Sequence, residues 1–260
     1  MCFNLFKMFT NKEKTEEKPI SEQPQVQKPI EQQPQEPQSE ENVLSSATEP
    51  KVVYNQNMVV LLDNGHAKST PGKRSPVWED GYQFFEYEFN RAIVARIASK
   101  LDALGIRYEI ITPELEKDIK LTERARRVNS FCNKYGKGNC FLISVHANAA
   151  GNGDWMKARG WSAYTTKGAT TSDRYATILY EEAEKLLPRF DMKIRKDWSD
   201  GDPDYEENFT IINSTYCPAV LTENLFMDNK EDCAFLRTDW GREIIARIHV
   251  EAIKRIFTVN

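Results

Sequence analysis

The chain has 260 residues, 40% of them hydrophobic, enough for one sizeable packed domain with an appendage. Its formal net charge of −4 gives no general attraction to nucleic acid or to an anionic membrane, and no nucleic-acid-binding signature is present. No stretch approaches the roughly 18 apolar residues of a membrane span, so stable membrane insertion is not expected. The opening run Met1-Cys2-Phe3-Asn4-Leu5-Phe6-Lys7-Met8-Phe9 is apolar but short for a signal peptide, and Lys7 interrupts it. Synthesis and accumulation in the cytoplasm follow as the expectation. Five cysteines without a Cys-x-x-Cys pair read as reduced, partly buried thiols.

Residues 1–51 read as a disordered tail or linker. The part from Thr10 onward is rich in Glu, Gln, Lys, Pro and Ser, as in Gln23-Pro24-Gln25-Val26-Gln27-Lys28-Pro29. Such a segment buries too little apolar surface to offset its ordering entropy. The folded domain is expected over residues 52–260. It opens with a strand, Met58-Val59-Val60-Leu61-Leu62, whose unbroken apolar run suits burial on both faces. Asp63-Asn64-Gly65 reads as a turn, which places His66 just past the strand end. The segment from Ala67 to Tyr82 is a loop. Phe85, Phe89, Ile93, Ile97, Leu101 and Leu104 then recur at helical spacing, which predicts a helix over residues 86–104 closed by Gly105.

Further along, residues 106–111 read as a strand, 121–135 as a helix and 139–146 as a strand. Residues 160–165 alternate like a strand, and 172–187 form a helix closed by Pro188. Residues 191–208 are polar and acidic, with Gly201 and Pro203, and read as a loop. Residues 209–212 read as a short strand, 218–223 as the last strand and 233–257 as one final helix. Strands alternating with helices predict an α/β domain with a mainly parallel sheet covered on both faces.

Three of these strands end on groups that can ligate or move protons: His66, His146 and Glu223. The chain holds three histidines in all, and two of them occupy strand ends. In open α/β sheets the carboxyl ends of strands are where ligands bind. The repeated placement points to a metal site, and a catalytic zinc takes three protein ligands while leaving a fourth position open. The third ligand is expected to be a carboxylate near the start of the first helix. Glu86 is favoured over Glu88, which lies about 200° round the helix from it. Glu79 and Asp80, in the preceding loop, are weaker candidates. Glu223 is left as the carboxylate beside the metal, suited to general acid–base work. His249, inside the last helix, is expected at the helix surface or the core edge and not as a ligand.

These motifs resemble those of the zinc-dependent N-acetylmuramoyl-L-alanine amidases, found in cell-wall remodelling enzymes and phage endolysins. The matching residues are Asp63-Asn64-Gly65-His66, Glu86 with Asn90, Ser144-Val145-His146-Ala147-Asn148, and Pro218-Ala219-Val220-Leu221-Thr222-Glu223 followed by Phe226-Met227-Asp228-Asn229. Leu121-Thr122-Glu123-Arg124 with Asn129 resembles a further helix of the family. Asn64 stands where a proline is common, Asn224-Leu225 where a glycine is frequent, and the Thr70–Pro76 loop differs from many bacterial members.

The resemblance implies a twisted, mainly parallel sheet of six strands flanked by helices on both faces. It implies zinc (Zn2+) on His66, Glu86 and His146, with Glu223 as the catalytic carboxylate. The implied reaction is hydrolysis of the amide between N-acetylmuramic acid and L-alanine, with the peptidoglycan stem as partner and the chain as a monomer. A phage endolysin, accumulating in the cytoplasm and reaching the cell wall or periplasm on release, is the expected setting. A bacterial wall-remodelling amidase is the alternative, and a degenerate peptidoglycan-binding module is a further one. A stem-peptide carboxypeptidase fits less well, because His66 and Glu86 are too far apart for its closely spaced His and Glu pair.

Overall fold

In the computed structural model the described residues are 52–151 and 153–259. The tail expected over residues 1–51 lies outside them. Six strands form one sheet: β1 (Val59–Asn64), β2 (Tyr108–Ile110), β3 (Cys140–Asn148), β4 (Ser162–Thr165), β5 (Tyr205–Glu206) and β6 (Ala219–Phe226). Their order across the sheet is β2-β1-β3-β6-β4-β5. All neighbouring pairs are parallel except β4 with β6, which run antiparallel. The mainly parallel six-stranded α/β sheet expected from the motifs is therefore the architecture observed.

Side chains alternate across the two faces, as the strand period requires. Val60, Leu62, Phe141, Ile143 and Val220 join one apolar core under helices α1 (Glu86–Leu104), α3 (Thr171–Leu186) and α6 (Asp239–Phe257). Val59, Leu61, Leu142, Ala219 and Leu221 join the other, under α2 (Leu121–Tyr135) and the short α4 (Thr210–Asn213). The central strands are buried on both sides, which is why their sequences run apolar without alternation. Among the described residues no helix is long and apolar enough to cross a membrane. The four cysteines of the folded part, Cys132, Cys140, Cys217 and Cys233, are free and buried.

Three expectations need correction. Residues 209–212 are not a strand. Phe209 is the extended residue ahead of α4, and Ile211 and Ile212 are both buried in one helical turn. Two adjacent apolar residues cannot distinguish a strand from a helix turn by periodicity. The strand in this region is β5, inside the expected loop. The final helix is two helices: α5 (Lys230–Leu236) and α6. Thr238 takes an extended conformation between them, and its hydroxyl oxygen accepts from Gly241 N at 2.9 Å. That N-cap satisfies a donor an unbroken helix would have paired elsewhere. Finally, His249 is fully buried and not at a helix surface or core edge.

The position of His249 follows from a chain of polar contacts. Its Nδ1 lies 2.8 Å from the Ile245 carbonyl, which only accepts, so Nδ1 carries the proton. Its Nε2 then accepts from the Thr222 hydroxyl at 3.0 Å. Asn224 Nδ2 donates to that hydroxyl oxygen and, at 2.9 Å, to the His146 carbonyl. Trp161 Nε1 donates to Asn224 Oδ1 at 2.8 Å. A buried network thus runs from α6 to the backbone of His146.

Candidate metal centre

His66 and His146 stand at the carboxyl ends of β1 and β3, which are paired in parallel from Val59–Cys140 to Asn64–Val145. Between β1 and His66 lies Gly65, whose N–H donates to the Val145 carbonyl at 3.1 Å. A Cβ built on Gly65 would sit 2.0 Å from Cε1 of the His146 ring. Only glycine lets the two strand ends approach this closely. His66 itself adopts φ 64, uncommon for a residue with a side chain. Its carbonyl accepts from Arg91 Nη1 at 2.8 Å, and the Gly65 carbonyl accepts from Asn90 Nδ2 at 2.9 Å. Two residues of α1 therefore hold the turn.

Glu86 enters from the first turn of α1. Its side chain is 1% exposed. Its Oε1 lies 3.1 Å from His146 Nδ1 and 3.5 Å from His66 Nε2. The two imidazole rings meet edge-on with centroids 5.0 Å apart. Oε1 also accepts from Ala147 N at 3.2 Å, whereas Oε2 is buried without a hydrogen-bond partner. Donor atoms of His66, Glu86 and His146 all lie within 4.8 Å of one another, so the group could hold a metal ion.

The tautomer of His146 follows from its surroundings. The Ser144 hydroxyl donates to Asp63 Oδ2 at 2.7 Å, so its oxygen accepts from His146 Nε2 at 3.2 Å. Nε2 then carries a proton, and Nδ1 is the nitrogen that faces the centre, beside Glu86 Oε1. Asp63 is itself held by Arg124 Nη1 at 3.1 Å, in a pair buried on both sides. Arg124 Nη2 continues to Asp118 at 2.8 Å.

Glu223 is the register partner of His146 across β3 and β6, so both side chains leave the same face of the sheet. Its Oε2 is buried without a hydrogen-bond partner. Burial, aided by the nearby Glu86 charge, pushes its carboxyl up to about 7 against the opposing charges of His146 and Lys73. Burial alone would raise Glu86 too. The His146 hydrogen bond and the charges of His66, His146 and Lys73 outweigh it and bring Glu86 down to about 2. Burial brings His66 down to about 4 despite the Glu86 charge. Burial works in the same direction on His146, but there the hydrogen bond and charge of Glu86 prevail and the imidazole is raised.

The other candidates are elsewhere. Glu88 is exposed and accepts from the Tyr87 hydroxyl. Glu79 pairs with Lys230 and Asp80 with Arg237 at the surface. Lys73, whose Nζ is 3.9 Å from Glu86 Oε2, was not singled out from the sequence. The one signal for it was the unusual Thr70–Pro76 loop.

Residues 60–255 match the family described as N-acetylmuramoyl-L-alanine amidase. The chain belongs to that family. This amidase is 28% identical over 209 residues to the endolysin of Bacillus phage SPP1, covering 78% of the chain and 67% of that protein. It is 24% identical to the N-acetylmuramoyl-L-alanine amidase CwlM of Bacillus licheniformis, covering 77% and 69%. Among solved structures, the catalytic domain of CwlV, an N-acetylmuramoyl-L-alanine amidase of Bacillus (Paenibacillus) polymyxa var. colistinus, shares the fold. That likeness has a TM-score of 0.60 at 22% identity and covers 76% of this chain and 97% of the other. The amidase acts on peptidoglycan, and the strand-end cluster described above is where its fold gathers ligating groups.

Proposed function

We propose that His66, Glu86 and His146 hold a zinc ion, that Glu223 moves the proton in amide hydrolysis, and that the chain serves as an endolysin. The observation that carries the reading is Glu86. Two imidazole nitrogens lie 3.1 and 3.5 Å from its Oε1, and its Oε2 has no donor despite burial. Ligand atoms about 2.0 to 2.1 Å from a tetrahedral zinc lie about 3.4 Å apart, so the spacing suits that ion. Two nitrogens and a carboxylate are also a donor set that zinc takes in hydrolytic sites.

Zinc held there supplies Lewis acidity, polarising the scissile carbonyl and acidifying the attacking water. The chain's own groups do the rest. Glu223 accepts a proton from the water at its unpartnered oxygen as the new C–O bond forms. It returns that proton to the nitrogen of L-alanine as the C–N bond breaks, which leaves the lactyl carboxylate on the sugar. Ser144 and Asp63 keep His146 in the tautomer that offers Nδ1 inward. Gly65, Asn90 and Arg91 keep His66 in its left-handed conformation.

The endolysin role rests on the similarity to the phage SPP1 protein. Muropeptide release and lysis of permeabilised cells by the purified chain test activity and setting together. Release of free stem peptides beginning with L-alanine is expected. Cleavage within the glycan or between stem residues would reject the assigned bond.

A further inference from the structure

A second cluster of ligating groups lies on the far side of β4, where the amidase chemistry uses nothing. Asp173, Asp202 and Asp204 bring carboxylate oxygens within 4.8 Å of one another. They come from the first turn of α3 and from the loop ahead of β5. Asp204 is 1% exposed and Asp173 is 8% exposed. The partners in reach are a hydroxyl and a backbone N–H, not a cation. Thr165 Oγ1 lies 2.9 Å from Asp173 Oδ1 and 2.7 Å from Asp204 Oδ2, but its one proton serves one of them. Asp173 Oδ2 accepts from the backbone of Thr170 in a capping box. Oδ1 of Asp204 and Oδ1 of Asp202 are both buried with no hydrogen-bond partner.

We propose that Asp173, Asp202 and Asp204 form a binding site for a hard divalent cation of the calcium class. Buried carboxylate oxygens without a donor are costly, and three carboxylates gathered this closely repel one another. An all-oxygen donor set from a helix start and a loop suits calcium, which accepts varied geometry and six to eight oxygens, better than zinc or magnesium. Asp202 also lines a surface cleft of about 290 Å3 with Trp198, Gly201 and Pro203, which gives the ion an entry route and room for water ligands.

The cation has a structural consequence close to the catalytic face. β5 has only two residues and pairs with β4 alone, at Tyr164–Tyr205 and Thr165–Glu206. Tyr164 and Tyr205 stack at 5.3 Å. Tyr164 and Ser162 share a face of β4, and Ser162 is the register partner of Glu223. An ion tying Asp202 and Asp204 to Asp173 would pin β5 to β4 and α3, and so fix the aromatic wall beside Glu223.

The test uses the full chain loaded with zinc, titrated with terbium and then with calcium. Saturable terbium luminescence sensitised by the nearby aromatic residues, displaced by calcium with a Kd of about 10⁻³ M or tighter, is expected. Calcium at about 100 times Kd should raise the melting temperature by roughly 5 to 10 °C. Both responses should vanish in Asp204→Asn and in Asp202→Asn, the latter a milder change at a less buried position. No saturable binding by the wild-type chain would overturn the proposal whether or not the variants fold. Equal binding by both variants would overturn it too. So would a chain indifferent to calcium in which Asp204→Asn alone raises the melting temperature, because that marks a proton shared between Asp202 and Asp204.

Discussion

The molecule carries two triads of side chains that could hold a metal ion, and they differ in what surrounds them. His66, Glu86 and His146 mix imidazole with carboxylate, and every member is oriented by a neighbour: Arg91 and Asn90 at the His66 turn, Ala147 at Glu86, Ser144 at His146. Asp173, Asp202 and Asp204 are carboxylates only; Asp173 and Asp204 share one hydroxyl, and Oδ1 of Asp202 and of Asp204 has no donor. The first triad suits the proposed zinc, a borderline ion held in one geometry. The second suits an ion that tolerates several. On the proposals above, the first centre serves chemistry and the second holds a loop.

The largest effects should come from breaking the first triad. His66→Ala or His146→Ala should strip zinc and abolish muropeptide cleavage, read by metal analysis and product assay on one preparation. Stoichiometric zinc with full activity in either variant would end the assignment. Removing zinc with 1,10-phenanthroline should likewise stop turnover, while calcium should still raise the melting temperature of the treated chain. A calcium response that disappears with zinc would merge the two sites into one.

Next in size is the support beneath His146. Arg124→Met leaves Asp63 buried without its cation, and such a broken pair costs about 3 to 5 kcal/mol, measurable by urea unfolding. Ser144→Ala removes the acceptor of His146 Nε2 and one donor to Asp63, and zinc affinity should fall by about 10- to 100-fold with a smaller loss of stability than Arg124→Met. If affinity is unchanged, the tautomer argument fails. Glu86→Gln should weaken zinc binding while Glu88→Gln leaves it alone, because Glu88 is exposed.

His249 sharpens the contrast through pH. Burial holds its imidazole down at about 4, from an ordinary 6.5. Between those values the unfolded chain binds the proton and the folded chain does not. The stabilisation is therefore complete above pH 6.5 and declines as pH falls to 4, by about 3 kcal/mol. Unfolding of wild type and His249→Gln at pH 7 and pH 4 should show the variant losing less stability by about that amount.

The two triads also differ in how far the sequence reveals them. His66 and His146 each close an apolar strand, and Glu86 falls on the side of its helix beside Phe85 and Phe89, so pattern and period suffice. Nothing of the kind marks Asp202 and Asp204. In sequence they sit in an acidic loop like any solvated one, and only the pairing of β5 with β4 brings them to Asp173. The break between α5 and α6 was hidden because Thr238 interrupts an apolar period that continues beyond it. His249 had a readable signal, since Ile245 and Ile253 lie one turn away on either side and are buried. Its partner Thr222 could be found only once β6 was placed under α6.

The central claim is that metal binding and proton transfer reside in different residues. Zinc content and muropeptide cleavage rate, measured on the same preparation of Glu223→Gln, test it most directly. The substitution is nearly isosteric and leaves His66, Glu86 and His146 in place, so one zinc per chain should remain while the rate at neutral pH falls by about 10²- to 10⁴-fold. Loss of zinc along with the rate would make Glu223 a ligand, and an unchanged rate would place the proton transfer on another group; either result contradicts the account.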